Sequence, residues 1–245
     1  MQKGDKYYVR IRAFRAVDDP ESCDKFIEGH KRVLTAVGVT QVSSSSYEWK
    51  YNPASYVIIC ESQDENRKVY GGARIHVLGG TQDLPIEEAT RELDPTVEKV
   101  VRNYAPKGTG EFCGLWNSME VAGMGIGAVY LVRCGVTILD QLGLGSCWTL
   151  CSPLSVRISR NFGFNKFPHV GNEGTFYYPK VDLLATACIV EDTVSLPFAT
   201  EVERAKIHQL RLNPNQMQDD ENRGKKVNIE YNLKLSIVDF SVYER

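Results

Sequence analysis

The sequence predicts an α/β chain folded as one domain over residues 1–245, a mixed, strongly twisted sheet of about seven strands with helices on both faces. Three observations carry this. Gly108–Lys166 reads as strand, glycine-spaced turn, helix, strand, helix, which makes its two strands parallel neighbours. Upstream, apolar residues alternate in antiparallel-type strands. No linker, internal repeat or low-complexity segment divides the chain.

Taken in order, KYYVRIRAF alternates Tyr7, Val9, Ile11 and Ala13 against Tyr8, Arg10, Arg12 and Phe14, a strand pattern. A helix follows, with Asp19 as cap and Pro20 in its first turn. Cys23, Phe26, Ile27, His30, Leu34 and Val37 keep helical spacing until Gly38. His30 lies on that face and reads as a core histidine. Residues 40–55 form a serine-rich loop exposing Tyr47, Trp49 and Tyr51, as a lid over a ligand or as packing on a neighbour. Ser55–Ser62 and Lys68–Leu78 form a hairpin joined by QDENR.

Residues 80–108 hold a helical pair; the second helix has Asp94 as cap, Pro95 in its first turn, and Val97, Val100, Val101 and Tyr104 on one face. GTGEFCGLWNS then carries Glu111, read as the one acid inside the core strands. The turn Gly123-Met124-Gly125-Ile126-Gly127 feeds the apolar helix Val129–Leu144, the strand SCWTLCSP, the basic helix Leu154–Asn161 and the stop GFNKF. Beyond it, Tyr177–Asp192 reads as one long strand. A capping box at Thr200 and Glu203 opens a helix that stops near Pro214. NPNQMQDDENRGKK reads as a solvated loop, and KVNIEYNLKL as the last strand.

Composition narrows the function. The chain is 42% hydrophobic and 24% charged, with a net charge of −2. That leaves no positive field to make nucleic acid the main partner. No secretory signal is visible, and no apolar run approaches the roughly 20 residues of a membrane helix, so the expected location is cytoplasmic. Seven cysteines without CxxC or clustered histidines read as buried free thiols, and no metal is expected. A glycine turn at a helix N-terminus aims backbone N–H groups at a phosphate. GMGIG is neither GxxxxGK[ST] nor GxGxxG, which removes the Walker and dinucleotide readings.

The stretch resembles the core of the GNAT acyltransferase superfamily, in which a [RQ]xxGxG/A turn binds the coenzyme A pyrophosphate and GF closes the next helix. Here these are Glu120-Val121-Ala122-Gly123-Met124-Gly125 and Gly163-Phe164, with Glu120 in place of the leading Arg or Gln. Arg74, the LP of GGTQDLP, Glu111-Phe112-Cys113-Gly114-Leu115 and the helical insertion resemble the branch of acyl-homoserine-lactone and long-chain N-acyl amino acid synthases. Gly114 replaces that branch's second Arg. The resemblance implies transfer of an acyl group, fatty in this branch, from acyl-CoA or acyl carrier protein, through its phosphopantetheine, to a small amine such as an amino acid. The chain would lie in a cleft between splayed strands Glu111–Trp116 and Cys147–Cys151. A buried Glu111 fits a general base for the amine, with Arg74 beside it. Ser159 stands where the superfamily has its Tyr acid. Gly123 to Gly127, with Arg157, Arg160 and Lys166, would hold CoA phosphates or acyl carrier protein. Trp116, Cys147 and Trp148 on the splayed strands, with Trp49 from the aromatic loop, are the substrate-binding candidates. Two alternatives stay open: an acetyl-CoA-dependent N-acetyltransferase, and a binding module without turnover. Gly125→Val separates two roles for the turn by calorimetric titration with CoA and carrier protein: lost donor binding if the turn holds phosphate, lowered thermal stability if it only packs.

Overall fold

The computed structural model describes residues 2–3, 6–36, 38–39 and 47–236. Its strands are β1 (Gln2–Lys3), β2 (Lys6–Arg15), β3 (Ser55–Ser62), β4 (Val69–Val77), β5 (Thr109–Asn117), β6 (Ser146–Cys151), β7 (Asn165–Lys166), β8 (Thr175–Tyr177), β9 (Leu184–Val190), β10 (Asn215–Asn222) and β11 (Lys225–Asn232). Its helices are α1 (Pro20–Ala36), α2 (Pro85–Thr90), α3 (Thr96–Arg102), α4 (Ala128–Ile138), α5 (Pro153–Ser159) and α6 (Glu201–Leu212). One mixed sheet runs β10-β11-β2-β3-β4-β5-β6-β9-β7, with β1 on β2 and β8 on β9. The β11–β2 and β5–β6 pairs are parallel; the others are antiparallel.

Among the described residues the sheet has eleven strands where about seven were expected. Three of the additions are only two or three residues long, too short to show a period. The fourth, β10, overturns the solvated-loop reading of NPNQMQDDENRGKK. It is polar because it is the sheet edge, where charged side chains discourage further pairing. Its hairpin to β11 closes through Arg223 and Gly224, both left-handed at φ 52° and 72°, the backbone of a two-residue turn. The long strand expected over Tyr177–Asp192 is instead β9 alone, preceded by the β8 hairpin arm. The serines at 43–46 and Val37 lie outside the described residues.

Central strands β3 and β4 are buried at every position because helices cover both faces. One face packs on α4 and α6 around Phe112, Leu131 and Ile207. The apolar face of α4 carries one charge, Arg133. It is 3% exposed and donates to Glu203 of α6 through Nε at 2.7 Å and Nη2 at 2.9 Å. Asp220 of β10 lies 3.5 Å away. The pairing ties α6 and the edge hairpin to the helix that follows the glycine turn. Thr200 caps α6 as expected, accepting from the Glu203 amide.

The opposite face packs on α1 through Cys23, Phe26, Trp49, Val57 and Trp116. The helical pair at 80–108 forms a smaller core with Trp148 and Val170. No helix among the described residues is long and apolar enough to cross a membrane. Helix α1 approaches β5 closely only because residue 29 lacks a side chain: a Cβ there would stand 2.0 Å from the Trp116 ring. Gly29→Ala should therefore lower stability by about 1–3 kcal/mol despite the better helix former. Urea unfolding measures it; an unchanged or raised midpoint would contradict the packing.

Candidate active site

The site begins where the sheet comes apart. Strands β5 and β6 pair at only three positions, Thr109–Ser146, Gly110–Cys147 and Glu111–Trp148. Beyond them β5 runs on to Asn117 against β4, and β6 runs on to Cys151 against β9. The two strands diverge, and two cavities fill the gap. The larger, about 500 Å³, runs from α1 (His30, Val33) past Trp116 and Cys151 to Asn117, Ala128, Ser155 and Ser159 at the ends of α4 and α5. The smaller, about 260 Å³, is lined by Leu34, Pro85, Glu111, Tyr178 and Leu183. Cys113, Gly114, Leu150 and Ser152 line both, forming a shared neck.

At the neck β5 bulges. The β4–β5 register steps from Gly72–Trp116 to Arg74–Cys113, leaving one extra residue on β5. Gly114 makes the step at φ 59°, a left-handed backbone that suits glycine. A Cβ there would stand 3.0 Å from Arg74 Nε, so Arg74 fills the space beside it. Arg74 is 1% exposed, with its guanidinium 4.3 Å from the Trp49 ring centre and 5.9 Å from that of Phe26.

Glu111 is 1% exposed, and its Oε2 accepts the Ile86 N–H at 2.6 Å. Burial pushes its carboxyl up to about 8, opposed by the Ile86 amide and by Arg74, and aided by the negative charges of Glu87 and Glu88. It is not the one acid in the core strands. Glu61 of β3 is equally buried, but Arg12 lies 3.3 Å and Arg10 3.7 Å from its Oε1. Glu61 is a structural ion pair away from the cleft; Glu111 faces a cavity.

The glycine turn runs directly into Ala128, which lines the larger cavity. Gly123 and Gly125 are both left-handed at φ 76°. A Cβ at Gly123 would meet nothing within 4 Å, whereas one at Gly125 would stand 2.8 Å from Lys225 Cβ and 3.0 Å from the Asn222 carbonyl. Asn222 also donates to the Gly125 carbonyl at 2.7 Å. Ile126 is buried in the main core and Met124 packs against it. Gly127 is the N-cap of α4. The Asn117 amide, oriented to suit its neighbours, accepts from the Ala128 N–H at 2.8 Å and so ties the end of β5 to that helix start.

No protein-family profile and no curated protein matches this sequence. Solved structures are similar to it. The N-acyl amino acid synthase FeeM, from uncultured soil microbes, gives a TM-score of 0.58 at 16% identity, over 78% of this chain and 99% of that one. TofI, in a ternary complex with an inhibitor and MTA, gives 0.53 at 12% identity, over 80% and 96%. BjaI, a CoA-dependent acyl-homoserine lactone synthase with MTA bound, gives 0.50 at 14% identity, over 87% and 94%. The chain has the GNAT fold. At these identities the likeness carries the fold alone.

Within the GNAT fold the sequence-predicted residues separate. Glu111, Trp116 and Ser159 reach the cleft, Ser159 Oγ lying 3.6 Å from Cys151 Sγ in its wall. Trp49, expected exposed, is 2% exposed and covers Arg74; Tyr47 and Tyr51 of the same loop are exposed. Cys147 lies in the main core, and Trp148 packs on Tyr104 and Phe167 beneath the helical pair; neither lines the cleft. Both belong to the stretch of β6 still paired with β5, and alternation sends them to opposite faces of the sheet. Arg157, Arg160 and Lys166 are exposed, on or just beyond α5. The acid of Glu120 is paired with Lys68. Sequence reasoning missed Cys113, the one half-exposed cysteine, Leu150 and the 178–185 wall. A cysteine before a glycine inside a strand was the available signal for a bulge.

A carboxyl raised by folding binds its proton more tightly in the folded chain than in the unfolded one, so the stability it contributes is full below about 4.5 and is lost as pH rises through 8. Glu111→Gln keeps an acceptor for Ile86 and removes the titration. Its melting temperature relative to wild type should climb between pH 5 and pH 9, reaching roughly 2–4 kcal/mol of added stability. A pH-independent difference in paired thermal melts would contradict the burial of this acid.

Proposed function

We propose that the protein transfers an acyl group from a thioester to a small amine. The observation that carries this reading is a buried carboxyl, raised toward neutrality, opening on a cavity that joins a second cavity at a strand bulge. The larger cavity suits the donor: its polar end at α4 and α5 takes the phosphopantetheine arm, and its apolar end at Val33 and Trp116 takes the acyl chain. Gly123, open on its Cβ side, fits a pyrophosphate approaching the turn. The thioester carbonyl then falls at the neck, beside Cys113 and Gly114.

Glu111 has the role of base. An amine arrives protonated, and a carboxylate with a pKa near 8 takes its proton directly or through one water. The neutral nitrogen attacks the carbonyl, and a backbone N–H of the bulge stabilises the oxyanion. The C–S bond then breaks. The thiolate departs without a dedicated acid, because its own pKa is near 8.5, and the nitrogen's second proton passes to it or to water, so a Tyr in place of Ser159 is not required. The donor is free CoA or acyl carrier protein; the exposed Arg157, Arg160 and Lys166 favour an acidic carrier.

Two variants test the assignment. Glu111→Gln should lower kcat about 10²–10³-fold with donor affinity unchanged, and the wild-type kcat/KM should rise with pH through an apparent pKa of about 8. Gly123→Asn accepts the left-handed backbone but places a side chain where phosphate would approach. It should weaken CoA binding tenfold or more in calorimetric titration while leaving the melting temperature within a few degrees. Retained activity in Glu111→Gln would remove the base, and unchanged binding in Gly123→Asn would remove the donor turn.

A further inference from the structure

The cavity over Glu111 discriminates among amines in a way the acyl-transfer reading leaves unused. Leu34, Pro85, Cys113, Leu150, Leu183 and Ala185 give it mostly apolar walls, Ser152 and Tyr178 line it as well, and among the described residues Glu111 is its one carboxyl. Among the described residues no Lys, Arg or His lines it. Two cations lie close in the structure, but neither opens into it. Arg74, across from Cys113 on β4, is 1% exposed and stacked on Trp49. Lys180, which follows the lining residue Pro179, is exposed and donates to the Gly38 carbonyl at 2.9 Å. Residues 40–46, which continue the chain from the lining residue Val39, read TQVSSSS and contain no cation. The charges of Glu87 and Glu88 act on the cavity's carboxyl with negative sign, and that of Arg74 with positive sign.

An ammonium entering this space is compensated by Glu111. A carboxylate is not. In an α-amino acid the carboxylate is attached to the carbon that bears the nitrogen, so it stays close to Glu111 while the nitrogen meets that acid. It would lie beside a second acid, among Pro85, Cys113 and Leu150, with no cation among the described lining residues to compensate it. We propose that the acceptor is a small apolar primary amine that carries no carboxylate, its hydrocarbon filling the Glu111 cavity. This rests on the acyl-transfer reading. In the step, the ammonium gives one proton to Glu111, the N–C bond forms, the C–S bond breaks with the electron pair leaving on sulfur, and the nitrogen's second proton passes to the departing thiolate, which leaves as the thiol.

The test uses the full chain, with octanoyl-CoA and octanoyl-carrier protein as donors and acceptors that differ only by the carboxyl group. The pairs are phenethylamine against phenylalanine and 3-methylbutylamine against leucine, with phenylalanine amide as a neutral control of the same bulk. Initial rates of N-octanoyl product, followed by mass spectrometry, should favour the decarboxylated member of each pair tenfold or more, and the amide should behave like phenethylamine. Amino acids acylated as fast as their amines would overturn the proposal. Rejection of the amide along with phenylalanine would also overturn it, since size and not charge would then decide. A parallel titration separates this inference from the function beneath it. Phenethylamine binding more tightly than phenylalanine, with no product from any donor, would support the acceptor class and sink the transferase reading. Equal binding or none, with no product, would sink both.

Discussion

The constraint on which the rest of the structure depends is the early separation of two parallel strands. Strands β5 and β6 hold together for three residue pairs and then follow different partners, β4 on one side and β9 on the other. A sheet that stayed zipped beyond the Glu111–Trp148 pair would leave no space at its centre. Because it opens, the chain gains a cleft whose floor is backbone. The bulge at Cys113–Leu115 sits in that floor and bends β5 away from β6. The surrounding packing keeps the opening from closing: Trp116 is held by the slot at Gly29, Arg74 fills the volume beside Gly114, and α5 begins directly after β6 with Ser152 as its cap.

Two buried acids of one sheet, on strands either side of β4, show how position divides structure from chemistry. Glu61 is surrounded by guanidinium groups and accounts for their burial. Glu111 has one amide, a more distant Arg74 and two like charges, and its carboxyl rises accordingly. The sequence departures from the superfamily pattern find local explanations in the same terms. An Arg side chain at position 114 would need a left-handed backbone and would collide with Arg74, so the glycine belongs to the bulge. The acid at Glu120 is exposed and answered by Lys68, which leaves the turn near neutral rather than negative.

Much of this was legible from periodicity. Alternation located β2, and helical spacing with an Asp19 cap located α1. The strand, turn, helix, strand run at 108–153 gave the parallel pair whose divergence makes the site. What escaped was what periodicity does not encode. Strand β10 reads as a loop because an edge strand has no buried face to alternate. Cys147 and Trp148 were placed in the cleft from their strand alone, but the face each presents depends on where the neighbouring helices pack. Trp49 looked exposed among serines because nothing in the sequence places a buried guanidinium opposite it. The paired acid Glu61 was indistinguishable from Glu111 until its cross-strand arginines were seen.

The most direct measurement is a crystal structure of the protein with a non-hydrolysable acyl-CoA analogue in which a methylene stands between sulfur and carbonyl. The account predicts the pyrophosphate against the backbone at Gly123, the arm between the ends of α4 and α5, and the acyl carbonyl at the neck between Cys113–Gly114 and Leu150, facing Glu111. An analogue bound elsewhere with the neck still open, or a carbonyl out of reach of the bulge amides, would contradict it.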